Sequence, residues 1–162
     1  MHASAESGAP IDVLLIDDSP HYIRLVQEAF RDVNAHVKFH VANDGLEALA
    51  FLRHEGDLNR NVPRPDLILL DLAMPKMNGC EFLALLKVDE DLRTIPTVVL
   101  TTSEMRQDVQ SSFRLHANAY LQKPLRLDQL DVLLKSINDF WFAQSTLPPK
   151  PEPTARADDG SE

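Results

Sequence analysis

The sequence has one cysteine, Cys80, and five glycines in 162 residues. A single cysteine excludes an internal disulfide framework and any cysteine-based zinc site. Basic residues are also scarce: 16 Lys and Arg stand against 25 Asp and Glu, for a net charge of −9. That balance argues against a nucleic-acid binder, which needs a basic face. No apolar run approaches the roughly 20 residues of a membrane helix. The opening MHASAESGAP has no apolar stretch, so it does not read as a signal peptide. Together these absences predict a cytoplasmic protein with neither membrane nor nucleic acid as partner.

The length suits about one domain. Residues 1–10 are small and polar and read as a flexible lead-in. From 147 onward the chain is LPPKPEPTARADDGSE, with four prolines and no aromatic residue. Such composition cannot bury enough apolar surface to order itself, so 147–162 reads as a disordered, Pro-rich acidic tail. The folded body is expected at 11–146, with no second domain after it.

That body alternates between two periodicities. Residues 11–16 (IDVLLI), 66–71 (DLILLD) and 96–101 (PTVVLT) are short apolar runs of the kind buried on both faces of a sheet. Residues 36–41 alternate, with Val37, Phe39 and Val41 on one face, as in a half-exposed strand; 118–123 (NAYLQK) is a last strand. Between them lie helical stripes: Ile23, Val26, Phe30 and Val33 after a Ser19-Pro20 start; Leu46, Leu49 and Leu52 after a capping-box pair, Asp44 and Glu47; Phe82, Leu83, Leu85 and Leu86 after Asn78. A weakly amphipathic helix is expected near 104–116. The last helix starts at Asp128 and carries Leu130, Leu133, Leu134, Ile137, Phe140 and Trp141 on one arc. Five βα units in a row predict an α/β fold, (βα)5, with a parallel five-stranded sheet doubly wound by helices on both faces. Ligands of such sheets sit beyond the carboxyl ends of the strands.

Those ends carry Asp17 and Asp18 after the first strand, Asp71 after the third, Thr101 at the fourth and Lys123 at the fifth. Three carboxylates, a hydroxyl and an ammonium would share one rim. Adjacent carboxylates repel unless a cation lies between them. All-oxygen donors suit Mg²⁺. An ionised aspartate is also a competent nucleophile towards a phosphoryl group, whose oxygens the hydroxyl and ammonium would neutralise.

The strings LLIDDS at 14–19, LILLDLAMPKMNG at 67–79, PTVVLTTS at 96–103 and YLQKP at 120–124 resemble the CheY-like receiver domain of two-component response regulators. The resemblance covers the whole body and implies a flavodoxin-like sheet in strand order 2-1-3-4-5. It implies that Asp71 is the phosphoacceptor, that Asp18 ligates Mg²⁺ directly while Asp17 helps hold the ion, largely through water, and that the Ala73 backbone carbonyl completes the protein ligands. Thr101 becomes the hydroxyl switch, Lys123 the phosphate partner and Tyr120 the aromatic that turns with the threonine. It also implies a cis Lys123–Pro124 bond. The polar loop at 56–65, the VLTTS string and the ending NDFWFAQSTLP are similar to the regulators paired with bacterial and cyanobacterial phytochromes, which are phosphorylated by a light-sensing histidine kinase. With no output domain in the chain, the signal would leave by partner binding, by a histidine phosphotransfer protein or by a change of dimer. Ala73 and Ser103 stand where the family often places polar or acidic side chains that set dephosphorylation, and Thr102 where it often has Ala or Gly.

Other readings compete for the same residues. Asp18 alone could be a helix-start acid, and Tyr120 a half-buried edge aromatic. Cys80, in the first turn of a helix, could be slightly acidified, but reads more simply as a plain helix residue. His36 and His40 share a strand face with Lys38 and read as solvated. Phe142 and Val132 fall off the apolar arc of the last helix at 100° per residue. An outward Phe142 predicts a homodimer through the fourth helix, fifth strand and fifth helix. A phosphorylation-independent pseudo-receiver would leave the acidic set unused. A flavodoxin-type cofactor binder would need a phosphate-cradling loop where this chain has the acidic DDSP.

Overall fold

Three apolar runs with no polar face suit the middle of a covered sheet, and that is where they sit. In the computed structural model, which describes residues 10–102, 106–124 and 126–144, strands β1 (Ile11–Ile16), β3 (Leu67–Leu70) and β4 (Thr97–Thr101) are central and almost wholly buried. The mixed strands β2 (Val37–Ala42) and β5 (Ala119–Gln122) form the edges. All pairings are parallel, in the order β2-β1-β3-β4-β5. The expectations for 1–9, Ser103 and 147–162 lie outside the described residues.

Side chains alternate across a strand, so each central strand feeds two cores. Val13, Leu15, Leu67, Leu69 and Val98 meet Val26 and Phe30 of α1 (Pro20–Val33) and Leu130 and Leu134 of α5 (Leu127–Ile137). Leu14, Ile16, Ile68, Leu70 and Val99 meet Leu49 of α2 (Gly45–Leu52) and Phe82 and Leu86 of α3 (Gly79–Val88). Helix α4 (Arg106–Arg114) lies between β4 and β5 in the chain. The loop at 56–65 contains one short 3₁₀ turn, Asp57–Asn59.

The helix starts follow the cap chemistry. Ser19 Oγ accepts from the Tyr22 N–H at 3.2 Å with Pro20 opening α1. Asn78 and Glu81 form a reciprocal capping box on α3. Asp44 accepts from the Glu47 N–H at 2.9 Å, but the Glu47 carboxylate reaches one residue further back, to the Asn43 N–H at 3.1 Å. Helix α5 begins at Leu127 with Arg126 as its cap residue, and Asp128 lies inside the first turn, paired with Arg126.

Several sequence expectations need correction. Leu46 is 52% exposed rather than in the core. His40 is not solvated: its side chain is 13% exposed, packs on the Phe51 ring and bonds Asp12 at 3.0 Å. The Lys123–Pro124 bond is trans, the isomer X–Pro bonds generally prefer. Phe142 points inward, meeting Phe30 edge-on at 6.1 Å, whereas Phe140 is 55% exposed. The cause is a π-helical segment, Asn138–Gln144, which continues α5. Its i→i+5 bonding takes a smaller angular step per residue than the α-helix, so the 100° count loses phase there. The Asn34 amide, at the end of α1, donates to Asn138 Oδ1 at 2.8 Å at the point of change.

Candidate functional site

Parallel strands end together, so the residues that follow them are brought to one rim. Asp17 leaves β1 still bonded to its neighbour, its N–H donating to the Ala42 carbonyl at 3.1 Å. Asp71 leaves β3 with its N–H on the Ile16 carbonyl at 2.9 Å, and Lys123 leaves β5 with its N–H on the Thr101 carbonyl at 2.7 Å. These ladder bonds set the backbone of all three groups before any side chain is placed.

The side chains then converge. The Thr101 hydroxyl donates to Asp71 Oδ1 at 2.8 Å. The Lys123 ammonium bonds Asp17 Oδ2 at 2.6 Å and Asp71 Oδ2 at 3.4 Å. Asp17 Oδ1 accepts from the Ser19 N–H at 2.9 Å, and Asp71 Oδ1 from the Ala73 N–H at 3.4 Å. Asp17, Asp71, Thr101 and Lys123 are buried, while Asp18 is exposed at the rim. Burial pushes the Asp17 carboxyl up, and nearby Asp71 adds to this; the Lys123 bond, the Ser19 N–H and the Lys123 charge pull it back.

One carboxylate oxygen each from Asp17, Asp18 and Asp71 lies within 4.8 Å of the others. With Lys123 as the ammonium bonded among them, this small volume carries a surplus of negative charge. Oxygen-only donors of this kind fit a hard divalent cation, which would remove the surplus. Tyr120 is half-buried and packs against the α2–α3 side of the sheet, opposite Val99 in the ladder. Thr102 is exposed. It lines a groove of about 510 Å³ beside the rim, with Tyr22, Leu25, Lys123, Pro124 and Leu127.

Two residues here escaped the reading of the sequence. A Cβ on Gly79 would lie 2.5 Å from the Asp71 carbonyl and 2.7 Å from Leu72 Cα, so only glycine lets the start of α3 press against the chain after Asp71. The G of MPKMNG carried that signal, but it read as a turn residue. Tyr22 is the other: the Lys123 ammonium sits 4.3 Å from its ring centroid. An aromatic in the first turn of a helix gave no cue to this. The thiol of Cys80, by contrast, is not acidified. Burial pushes it up, and the charges of Asp108 and Glu81 push the same way.

A parallel 2-1-3-4-5 sheet with acids, a hydroxyl and an ammonium at its carboxyl rim defines a receiver. The response regulator receiver domain model matches residues 13–135, and the chain belongs to that family. Among its relatives is the response regulator Rcp1 of a Synechocystis species, 45% identical over 145 residues, covering 90% of this chain and 98% of that protein. The crystal structure of a phosphorylated cyanobacterial phytochrome response regulator, RcpA, superposes with a TM-score of 0.83 at 43% identity, covering 87% of this chain and all of that one. The Mn²⁺-bound form of Rcp1 matches with a TM-score of 0.80 at 44% identity, over 86% of this chain and all of the other. The protein is a receiver-type response regulator, a signalling protein rather than a classical enzyme. Among the described residues no helix is long and apolar enough to cross a membrane.

Proposed function

We propose that Asp71 accepts a phosphoryl group from the phosphohistidine of a phytochrome-type histidine kinase in the cytoplasm. The observation that carries this reading is the rim itself: Asp71 is held between the Thr101 hydroxyl and the Lys123 ammonium, beside two further carboxylates. A carboxylate oxygen of Asp71 attacks phosphorus, an O–P bond forms, the P–N bond breaks, and the imidazole nitrogen leaves with the electron pair. Lys123 and Thr101 face the transferring oxygens and stabilise their charge. Asp18, Asp71 and the Ala73 carbonyl would hold Mg²⁺, with Asp17 helping largely through water, and the ion would supply the remaining positive charge. Water later attacks the same phosphorus and returns Asp71 and inorganic phosphate, so the protein limits its own signal.

The Thr101 hydroxyl that now bonds Asp71 moves to the phosphoryl oxygen, and Tyr120 on the adjacent strand follows it. Phosphorylation thereby shifts a two-state equilibrium. The signal leaves by partner binding, by a histidine phosphotransfer protein, or by a homodimer through α4, β5 and α5. Helix α4 exposes Phe113, and α5 exposes Leu127 and Val132. Phe142, packed on Phe30, takes no part in that surface. The pseudo-receiver reading is not favoured, since it leaves the surplus of carboxylates without a use.

Transfer from a ³²P-labelled phytochrome-type kinase tests the proposal. Label passes to the wild-type chain and not to Asp71→Asn. Equal labelling of the two would overturn the assignment.

A further inference from the structure

Among the described residues, Tyr22 Oη is buried and finds no hydrogen-bond partner. A buried O–H without an acceptor is unfavourable, and phenylalanine would fill the same space without it. The two buried carboxylates at the rim are engaged by other donors. Asp17 takes the Ser19 N–H and Lys123, and Asp71 takes Thr101, the Ala73 N–H and Lys123. The Tyr22 ring nevertheless lies against the Lys123 ammonium, which itself touches both carboxylates. Burial, then the negative charges of Asp17 and Asp71, push the phenol up and keep it a donor.

We propose that Tyr22 is a further phosphoryl-binding residue, its ring seated on Lys123 and its hydroxyl donating to an oxygen of the group carried by Asp71. A phosphoryl group brings three acceptor oxygens to a rim where Thr101, Lys123 and the Ser19 and Ala73 N–H groups are engaged on the carboxylates and the Tyr22 O–H is not. The leftover O–H then finds its partner only in the phosphorylated state, so its bond adds to the stability of that state alone. This inference rests on Asp71 being the acceptor.

Tyr22→Phe isolates the hydroxyl, because the ring over Lys123 is kept. Beryllofluoride, a stable stand-in for the phosphoryl group, is titrated calorimetrically in saturating Mg²⁺, and Mg²⁺ alone is titrated separately. Tyr22→Phe is expected to weaken beryllofluoride about tenfold while leaving Mg²⁺ affinity within about twofold. Its thermal midpoint stays at or above that of the wild type, since no buried partner is lost. Equal beryllofluoride affinity in the two proteins would overturn the proposal. An equal loss for Mg²⁺ alone would overturn it too, by placing the hydroxyl's effect at the metal ligands. If the wild type itself binds no beryllofluoride, the acceptor reading fails first and takes this one with it.

Discussion

Strand β1 leads from one buried carboxylate to another, and the two have different surroundings. Asp12, near its start, faces the imidazole of His40 at 3.0 Å, and that ring is backed by Phe51. Its backbone is tied to Asp66, the residue before β3: the Asp12 N–H donates to the Asp66 carboxylate at 2.9 Å, and the Asp66 N–H to the Asp12 carbonyl at 2.7 Å. Asp17, just past the end of β1, has an ammonium at 2.6 Å, but shares it with Asp71 and stands within a cluster that includes Asp18. Burial of an acid is therefore not the mark of the site. The mark is the clustering at the carboxyl ends of the strands, where Asp17, Asp18 and Asp71 each bring a carboxylate oxygen within 4.8 Å of the others.

The largest test of this contrast is Lys123→Met. Removing one partner of a buried ion pair costs about 3–5 kcal/mol. The loss is expected in urea melts without metal, with Mg²⁺ restoring a larger share of the stability than it adds to the wild type. An equal Mg²⁺ effect in both would mean that Lys123 does not balance the cluster. A smaller effect is expected at the other carboxylate. His40→Leu leaves Asp12 without its imidazole partner, at about 1–3 kcal/mol. It should leave the Mg²⁺-induced stabilisation unchanged. A Mg²⁺ response that fell with His40 would join the two ends of the strand into one electrostatic unit and erase the contrast.

Much of this fold was legible because its signals are local. Short apolar runs such as LILL, bounded by turn signals, suit central strands, and Ser19-Pro20 and Asn78 suit helix starts. The rim was legible as a neighbourhood because parallel strands in alternation with helices place their carboxyl ends side by side. What escaped depended on tertiary contact or on a change of period. His40 read as solvated because a strand pattern does not show that Asp12 waits beside it. Phe142 was misplaced because Asn138 begins a π-helical segment, and a fixed 100° step cannot report that change. Leu46 belonged to a plausible stripe, yet α2 buries the face bearing Gly45, Ala48, Leu49, Phe51 and Leu52, and Leu46 falls beside it. Tyr22 was silent because an aromatic seated on a lysine needs both partners in space.

The most direct test of the central claim is an intact mass after incubation with Mg²⁺ and phosphoramidate, run beside Asp71→Asn and beside the wild type in chelator. Gain of one phosphoryl group is expected in the wild type with Mg²⁺ and in neither control. A gain that persists in Asp71→Asn would contradict the claim, since phosphate would then rest on a group outside the rim.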